Sequence, residues 1–218
     1  MKKLIFIGII VIIIGGGVSI YQNLVEKPEI SPEDKSMAEK TLDGKKIAII
    51  VAFRDFRDEE YFVPKEILEG AGAEIKNASN KIGKAIGVDG GEVKIDFLVW
   101  ELEPADFDAV VFVGGSGCLA NLDDEDSYEV ARKTVSQNRV LAAICISSTI
   151  LAKAGVLDGK KATVWSSPMD RDPIKILEQN GAIFEDKPVV IDGKIITGNG
   201  PDAAEEFGKT IIQVLTSI

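Results

Sequence analysis

Two cysteines, Cys118 and Cys145, are the residues best suited to covalent chemistry in this sequence, and no histidine accompanies them. Without histidine there is no Ser-His-Asp triad, no Cys-His dyad, no HExxH zinc site and almost no catalytic zinc geometry. Two thiols are too few for a cysteine-rich metal site or a disulfide framework. Neither a metal nor a cofactor is therefore expected. Cys145 closes the apolar run VLAAI at 140–144, and a helix is expected to begin within about three residues of it. Strand, cysteine, helix is the layout of a nucleophile elbow, a sharp turn that presents one side chain beyond a sheet. The start of that helix offers free N–H groups and partial positive charge, both of which favour a thiolate. The competing reading is an inert buried thiol acting as a small hydrophobe. Cys118 follows Gly114-Gly115-Ser116-Gly117 at the end of another apolar run. It is a candidate redox partner of Cys145, as a resolving thiol or in a disulfide. Two separate cysteines are the simpler alternative.

The elements that must position these residues alternate. Residues 46–52 (KIAIIVA) and 109–113 (AVVFV) read, like 140–144, as short buried strands. Residues 60–70 read as a helix whose Pro64 belongs in the first turn, where no donor is needed. A strand is expected at 73–78 and a glycine-turned hairpin within 83–97. Helices follow at 126–137 and 148–154. Further short elements fall at 162–164, 175–179, 189–191 and 195–197. A closing helix over 202–215 has Phe207, Ile211 and Leu215 on one face. Strands alternating with helices imply a mostly parallel sheet covered on both faces. Sites in such sheets lie at the carboxyl ends of the strands.

The N-terminal part has a different character. Lys2 and Lys3 precede a stretch, 4–20, of 17 residues without a charge. As a helix this run is about 25 Å long, near the short limit for a bilayer. It predicts a single-pass anchor over 4–21, with residues 1–3 cytoplasmic and the following domain outside the cytoplasm. A cleaved signal peptide is the alternative and places the domain on the same side. Residues 22–44, with Pro28, Pro32 and many charges, read as a tether, which leaves 45–218 as the folded domain. The partner implied is thus the lipid bilayer. The formal charge of −10 repels phosphate backbones and argues against nucleic acid.

Four stretches carry a resemblance. LAAICISSTILAKAGVLDGKKAT (141–163) resembles the nucleophile region of the PfpI superfamily, which includes intracellular-protease-like proteins and the parkinsonism-associated deglycase. DEEYFVPKEILEGAGAEI (58–75) resembles its first helix, FDAVVFVGGSG (107–117) its glycine loop, and IITGNGPDAAEEFGKTII (195–212) its C-terminal segment. The resemblance implies an α/β, flavodoxin-like three-layer sandwich of the class I glutamine amidotransferase-like kind. It makes Cys145 the reactive cysteine and Glu60 the glutamate that hydrogen-bonds it. It assigns Gly115, Ser116 and the N–H of Ile146 to an oxyanion pocket, and it implies a homo-oligomer. On residue type alone Glu60 is a first-turn acid that suits its helix dipole. Two departures stand out. Protease-like members carry histidine directly after the cysteine, where this chain has Ile146. Others carry one further on, where this chain reads TVWSSPMDRDP (163–173). Trp165 and Met169 in that stretch are read as core residues, with lining of the site as the alternative. The functional expectation is thiol-redox or electrophile-stress chemistry at Cys145, tuned by Glu60. The alternatives are a weak hydrolase or glyoxalase and a non-catalytic binding module.

Overall fold

The computed structural model describes residues 8–14, 17–23 and 41–217, in two separate units. In the first, β1 (Gly8–Ile14) and β2 (Gly17–Asn23) pair antiparallel, with Gly8 opposite Asn23 and Ile14 opposite Gly17. Isoleucine and valine favour extended backbone, so this run suits strands as well as the anchor helix expected over 4–21. Among the described residues no helix is long and apolar enough to cross a membrane. The rest of the expected anchor, and the expected tether up to residue 40, lie outside the described residues.

The second unit takes in Leu42, a fully buried residue within the span 22–44 expected as tether. Its N–H donates to Ala71 O at 2.9 Å. The chain then forms β3 (Lys46–Ile50), β4 (Arg54–Phe56), α1 (Asp58–Gly70), β5 (Glu74–Ser79), β6 (Lys84–Gly87), β7 (Glu92–Lys94) and β8 (Phe97–Leu98). It continues through β9 (Ala109–Phe112), α2 (Cys118–Leu122), α3 (Glu125–Ser136), β10 (Val140–Ile144) and α4 (Ser148–Lys153). It closes with β11 (Lys161–Ala162), α5 (Asp172–Gln179), β12 (Ile183–Phe184), β13 (Val189–Asp192), β14 (Ile195–Gly198) and α6 (Ala204–Thr216).

Seven strands make the central sheet, in the order β13-β14-β10-β9-β3-β5-β8. All neighbours are parallel except the edge strand β13. This is the helix-flanked α/β fold expected. Every residue of β9 and β10, and all of β3 except Lys46, is buried. Such runs can only be central strands covered on both faces. Burying each of their Ile, Val and Leu side chains stabilises the fold by about 1.5–3 kcal/mol. The expected hairpin forms as β6–β7, and β4 joins it in a three-stranded sheet. Asp58, at the start of α1, ties the β6–β7 turn down. Its carboxylate accepts N–H bonds from Asp89 at 2.8 Å and Gly91 at 2.6 Å.

Helix α1 begins two residues earlier than expected, which puts Pro64 in its second turn rather than its first. Proline there withholds the N–H that the Glu60 carbonyl would otherwise accept, at a cost of about 3 kcal/mol in a free helix. Packing against α6 compensates, since α1 and α6 run against each other and Pro64 is buried.

Candidate functional site

Strand register builds the site. Ala143 of β10 stands opposite Phe112 of β9, so the residues two further along each strand, Cys145 and Gly114, leave the sheet side by side. The chain turns there. Cys145 has φ +67°, a left-handed conformation costing a non-glycine residue about 1–2 kcal/mol. The turn Cys145–Ser147 then passes into α4. Ser147 locks it. Its hydroxyl accepts the Ile144 N–H at 3.1 Å and lies 2.7 Å from Ile144 O and 2.9 Å from Phe112 O, one of which takes its proton. From the other side the Trp165 N–H donates to Cys145 O at 3.4 Å.

Gly114 is required by what it touches. A Cβ there would stand 2.7 Å from Cys145 Cβ and 2.7 Å from Glu60 Oε2. Gly115 has φ +113°, and a Cβ would lie 2.4 Å from Arg57 N. The N–H groups of Ile146 and Gly115 favour the ionised form of the Cys145 sulfur. These are the two donors an anion on or beside the sulfur would meet. Ser116 is exposed and, among the described residues, has no hydrogen bond to Cys145.

Glu60 enters from the first turn of α1 and is fully buried. Its Oε2 accepts the Gly114 N–H at 3.1 Å. The carboxyl is also within bonding reach of the Cys145 thiol. Oε1 nonetheless lacks a partner of good hydrogen-bond geometry, so that contact is one a rotating thiol proton must complete. Burial raises the Glu60 pKa from 4.5 to about 7, against the opposing pull of the Cys145 and Gly114 hydrogen bonds and the Arg57 charge. Burial also pushes the Cys145 thiol up, ionised Glu60 pushes it further, and the N–H groups of Ile146 and Gly115 pull it back. The pair therefore carries at most one negative charge near neutral pH. Cys145 is not a freely ionised thiolate, as a helix terminus alone would suggest. It is a thiol beside a carboxyl whose titration lies near pH 7.

Cys118 opens α2 and is fully buried, with its N–H bonded to Gly115 O at 3.1 Å. Burial, reinforced by Glu60 and Asp123, pushes its thiol far above the ordinary value. Both cysteines are free. Trp165 is half-buried against the core, whereas Met169 is 98% exposed, so the expectation of a core position fails for methionine. Among the described residues no cluster of three or more cysteine or carboxylate side chains could hold a metal ion. Open cavities of about 290 and 280 Å³ lie at the opposite end of the sheet, lined by Lys45, Asp108, Arg139 and Lys194 among others. Cys145 lies at the other, carboxyl end of the sheet and is only 8% exposed.

Sequence reasoning placed Gly114 only within the glycine loop, and it did not pick out Ser147 or Arg57. The signal for the first two is the strand register, which no local pattern contains. Arg57 stands three residues before Glu60, ahead of the acidic run Asp58-Glu59-Glu60, where it reads as an ordinary surface charge.

A family model described as DJ-1/PfpI family matches residues 45–214. An uncharacterized protein of Methanocaldococcus jannaschii is 35% identical over 177 residues, covering 81% of this chain and 85% of that one. The protein named deglycase PfpI from Pyrococcus furiosus is 30% identical over 167 residues, covering 77% of this chain and 98% of that one. Among solved structures, the ThiJ/PfpI domain protein from Brachyspira murdochii superposes with a TM-score of 0.75 at 34% identity, covering 79% of this chain and 97% of that one.

Proposed function

The chain belongs to the DJ-1/PfpI family, and on that footing we propose that it performs thiol chemistry on small electrophiles, with Cys145 as nucleophile and Glu60 as the group that takes and returns its proton. The observation that carries this reading is the buried Glu60 carboxyl packed on the Cys145 thiol, with a pKa of about 7. A group that titrates near the working pH is the best match for moving a proton. It supplies the base that the missing histidine would have been. The N–H groups of Gly115 and Ile146 support the same reading, because they can hold the oxyanion formed when sulfur attacks a carbonyl. The Pyrococcus furiosus relative is named a deglycase, and a carbonyl substrate would enter by that first step. Oxidation of Cys145 is the second reaction the site supports, with the same Glu60 contact stabilising an oxidised sulfur.

The rate of Cys145 alkylation against pH tests the proposal. The wild type should show a rise centred near pH 7, and Glu60→Gln should shift that rise to well above pH 8.5, where an ordinary thiol titrates. Superimposable profiles would remove Glu60 from the chemistry. Negligible labelling in both would favour the binding module, the reading that the small exposure of Cys145 supports.

The uncharged run 4–20 behind Lys2 and Lys3 supports attachment of this domain to a membrane, on its non-cytoplasmic side. Retention in the membrane fraction through a carbonate wash, with the domain open to protease added outside, is the expected result. Release by the wash would end that part of the proposal.

A further inference from the structure

The amino end of the central sheet gathers cations. Lys45, Arg139, Lys160 and Lys194 come from separate parts of the chain, and each directly precedes a strand, β3, β10, β11 and β14 in turn. The sheet order β14-β10-β9-β3 delivers Lys194, Arg139 and Lys45 to one edge. The cavities of about 290 and 280 Å³ open there, and Arg139 and Lys194 line both. Two carboxylates share this end, and both are engaged. Asp108 accepts the Lys46 N–H at 2.9 Å and Lys45 Nζ at 3.0 Å. Asp192 accepts the Lys161 N–H at 3.0 Å and Lys160 Nζ at 3.2 Å. Arg139 and Lys194 are held differently. The Arg139 guanidinium donates to Ala105 O at 2.9 Å, and Lys194 Nζ donates to Asn138 O at 2.9 Å. Carbonyls fix these two cations without neutralising them. Asp108 reaches Arg139 only at 4.0 Å, and among the described residues Lys194 has no carboxylate partner. Ion pairs that merely tie strand ends together need no surplus of one sign. Surplus cations repel each other, and a bound anion removes that repulsion. A chain of net charge −10 therefore keeps unmatched positive charge where these cavities adjoin.

We propose that this end of the domain binds a phosphomonoester or diphosphate through its phosphate group, with Arg139 and Lys194 as the anchoring cations, at a site separate from Cys145 and independent of the chemistry there. A phosphate group carries about two negative charges near neutral pH, which matches the surplus of Arg139 and Lys194. A carboxylate, with one charge, would leave a cation unmatched. The guanidinium offers a planar fork to two phosphate oxygens, and the ammonium acts as a point charge on another. The Lys45 and Lys160 pairs are partly open to water, so either ammonium turns to a ligand at small cost. The same phosphate chemistry occurs on soluble small molecules and on phospholipid headgroups.

Calorimetric titration of the full chain, held in a neutral detergent, with inorganic pyrophosphate tests this. The wild type should bind at low salt, with an affinity that falls as salt rises. Arg139→Gln and Lys194→Gln should each weaken binding about tenfold, the scale of one charge-assisted contact in a partly solvated site. Lys84→Gln, on the β6–β7 hairpin, removes an equal charge elsewhere and should leave binding unchanged. Thermal melting of each variant is followed in parallel. Arg139 also holds Ala105 O, so Lys194→Gln carries the test if Arg139→Gln fails to fold. Glycerol 3-phosphate and a short-chain phosphatidic acid share a phosphomonoester and separate the two sources. Equal affinity for both assigns the site to a soluble ligand, and tighter binding of the lipid assigns it to a headgroup. No binding of pyrophosphate by the wild type overturns the inference. So does binding that Lys84→Gln weakens as much as Lys194→Gln does, because the response would then be to overall charge and not to a site.

Discussion

The two ends of the central sheet treat their carboxylates in opposite ways. At the amino end Asp108, just before β9, accepts the Lys46 N–H at 2.9 Å and Lys45 Nζ at 3.0 Å, with Arg139 at 4.0 Å. Burial pushes its pKa up, but these partners outweigh burial and hold it below the ordinary value. Asp192, closing β13 at the same end, is held down by the Lys161 N–H at 3.0 Å and by Lys160 at 3.2 Å. At the carboxyl end Glu60 has a single backbone donor and a thiol for company, and burial wins. The left-handed residues Asp55 and Cys145 lie at this end, and left-handed Asn138 lies at the amino end. Charge that is matched ties strands together and has little left to react with. Charge that is buried without a match, beside a nucleophile, is costly to stability and suited to proton transfer.

The largest effect that would sharpen this contrast is expected from Gly114→Ala. A methyl 2.7 Å from both Cys145 Cβ and Glu60 Oε2 should cost about 3 kcal/mol by overpacking and abolish Cys145 labelling. Chemical denaturation and alkylation read the two effects, and a stable, reactive variant would mean that the elbow is looser than its contacts imply.

Glu60→Gln comes next. The folded protein binds a proton here that the unfolded chain releases between pH 4.5 and about 7, so Glu60 lowers stability as pH rises through that window. Removing the titration should make the variant about 3 kcal/mol more stable relative to wild type at pH 8 than at pH 4. Denaturation at the two pH values measures it, and an unchanged difference would break the comparison.

Asp108→Asn tests the other end, where the sign reverses. A lowered carboxylate stabilises the fold above its unfolded pKa, and that stability is lost as pH falls through the lower folded value. The variant should lose about 1–2 kcal/mol at pH 7, and less below pH 3, with Cys145 labelling unchanged. A change in labelling would show that the two ends are coupled.

The smallest effect is expected from Ser147→Ala, at about 1 kcal/mol for the lost hydroxyl contacts between β9 and β10. It should slow labelling of Cys145 more than it lowers stability, because it frees the turn without emptying the core. A labelling rate equal to wild type would mean the turn keeps its shape unaided.

Much of the fold was legible beforehand. The runs at 46–52, 109–113 and 140–144 became the three central strands, since β-branched residues without polar alternation have few other destinations. The elements around the hairpin were harder to read. β4 has only three residues, α2 five and β8 two, each too short to show a period. The apolar run near the N-terminus was ambiguous for a related reason, because isoleucine and valine serve a strand as well as a spanning helix.

At the site the sequence by itself determined the chemistry available: one cysteine between a strand and a helix, no histidine, and a glutamate on the first helix. Only the tertiary structure decided how those groups behave. Parallel register set Cys145 beside Gly114, and burial of α1 turned a surface acid into a carboxyl with a pKa of about 7. Composition lists the ionisable groups, but proton affinity depends on the water and the charges that folding removes or brings near.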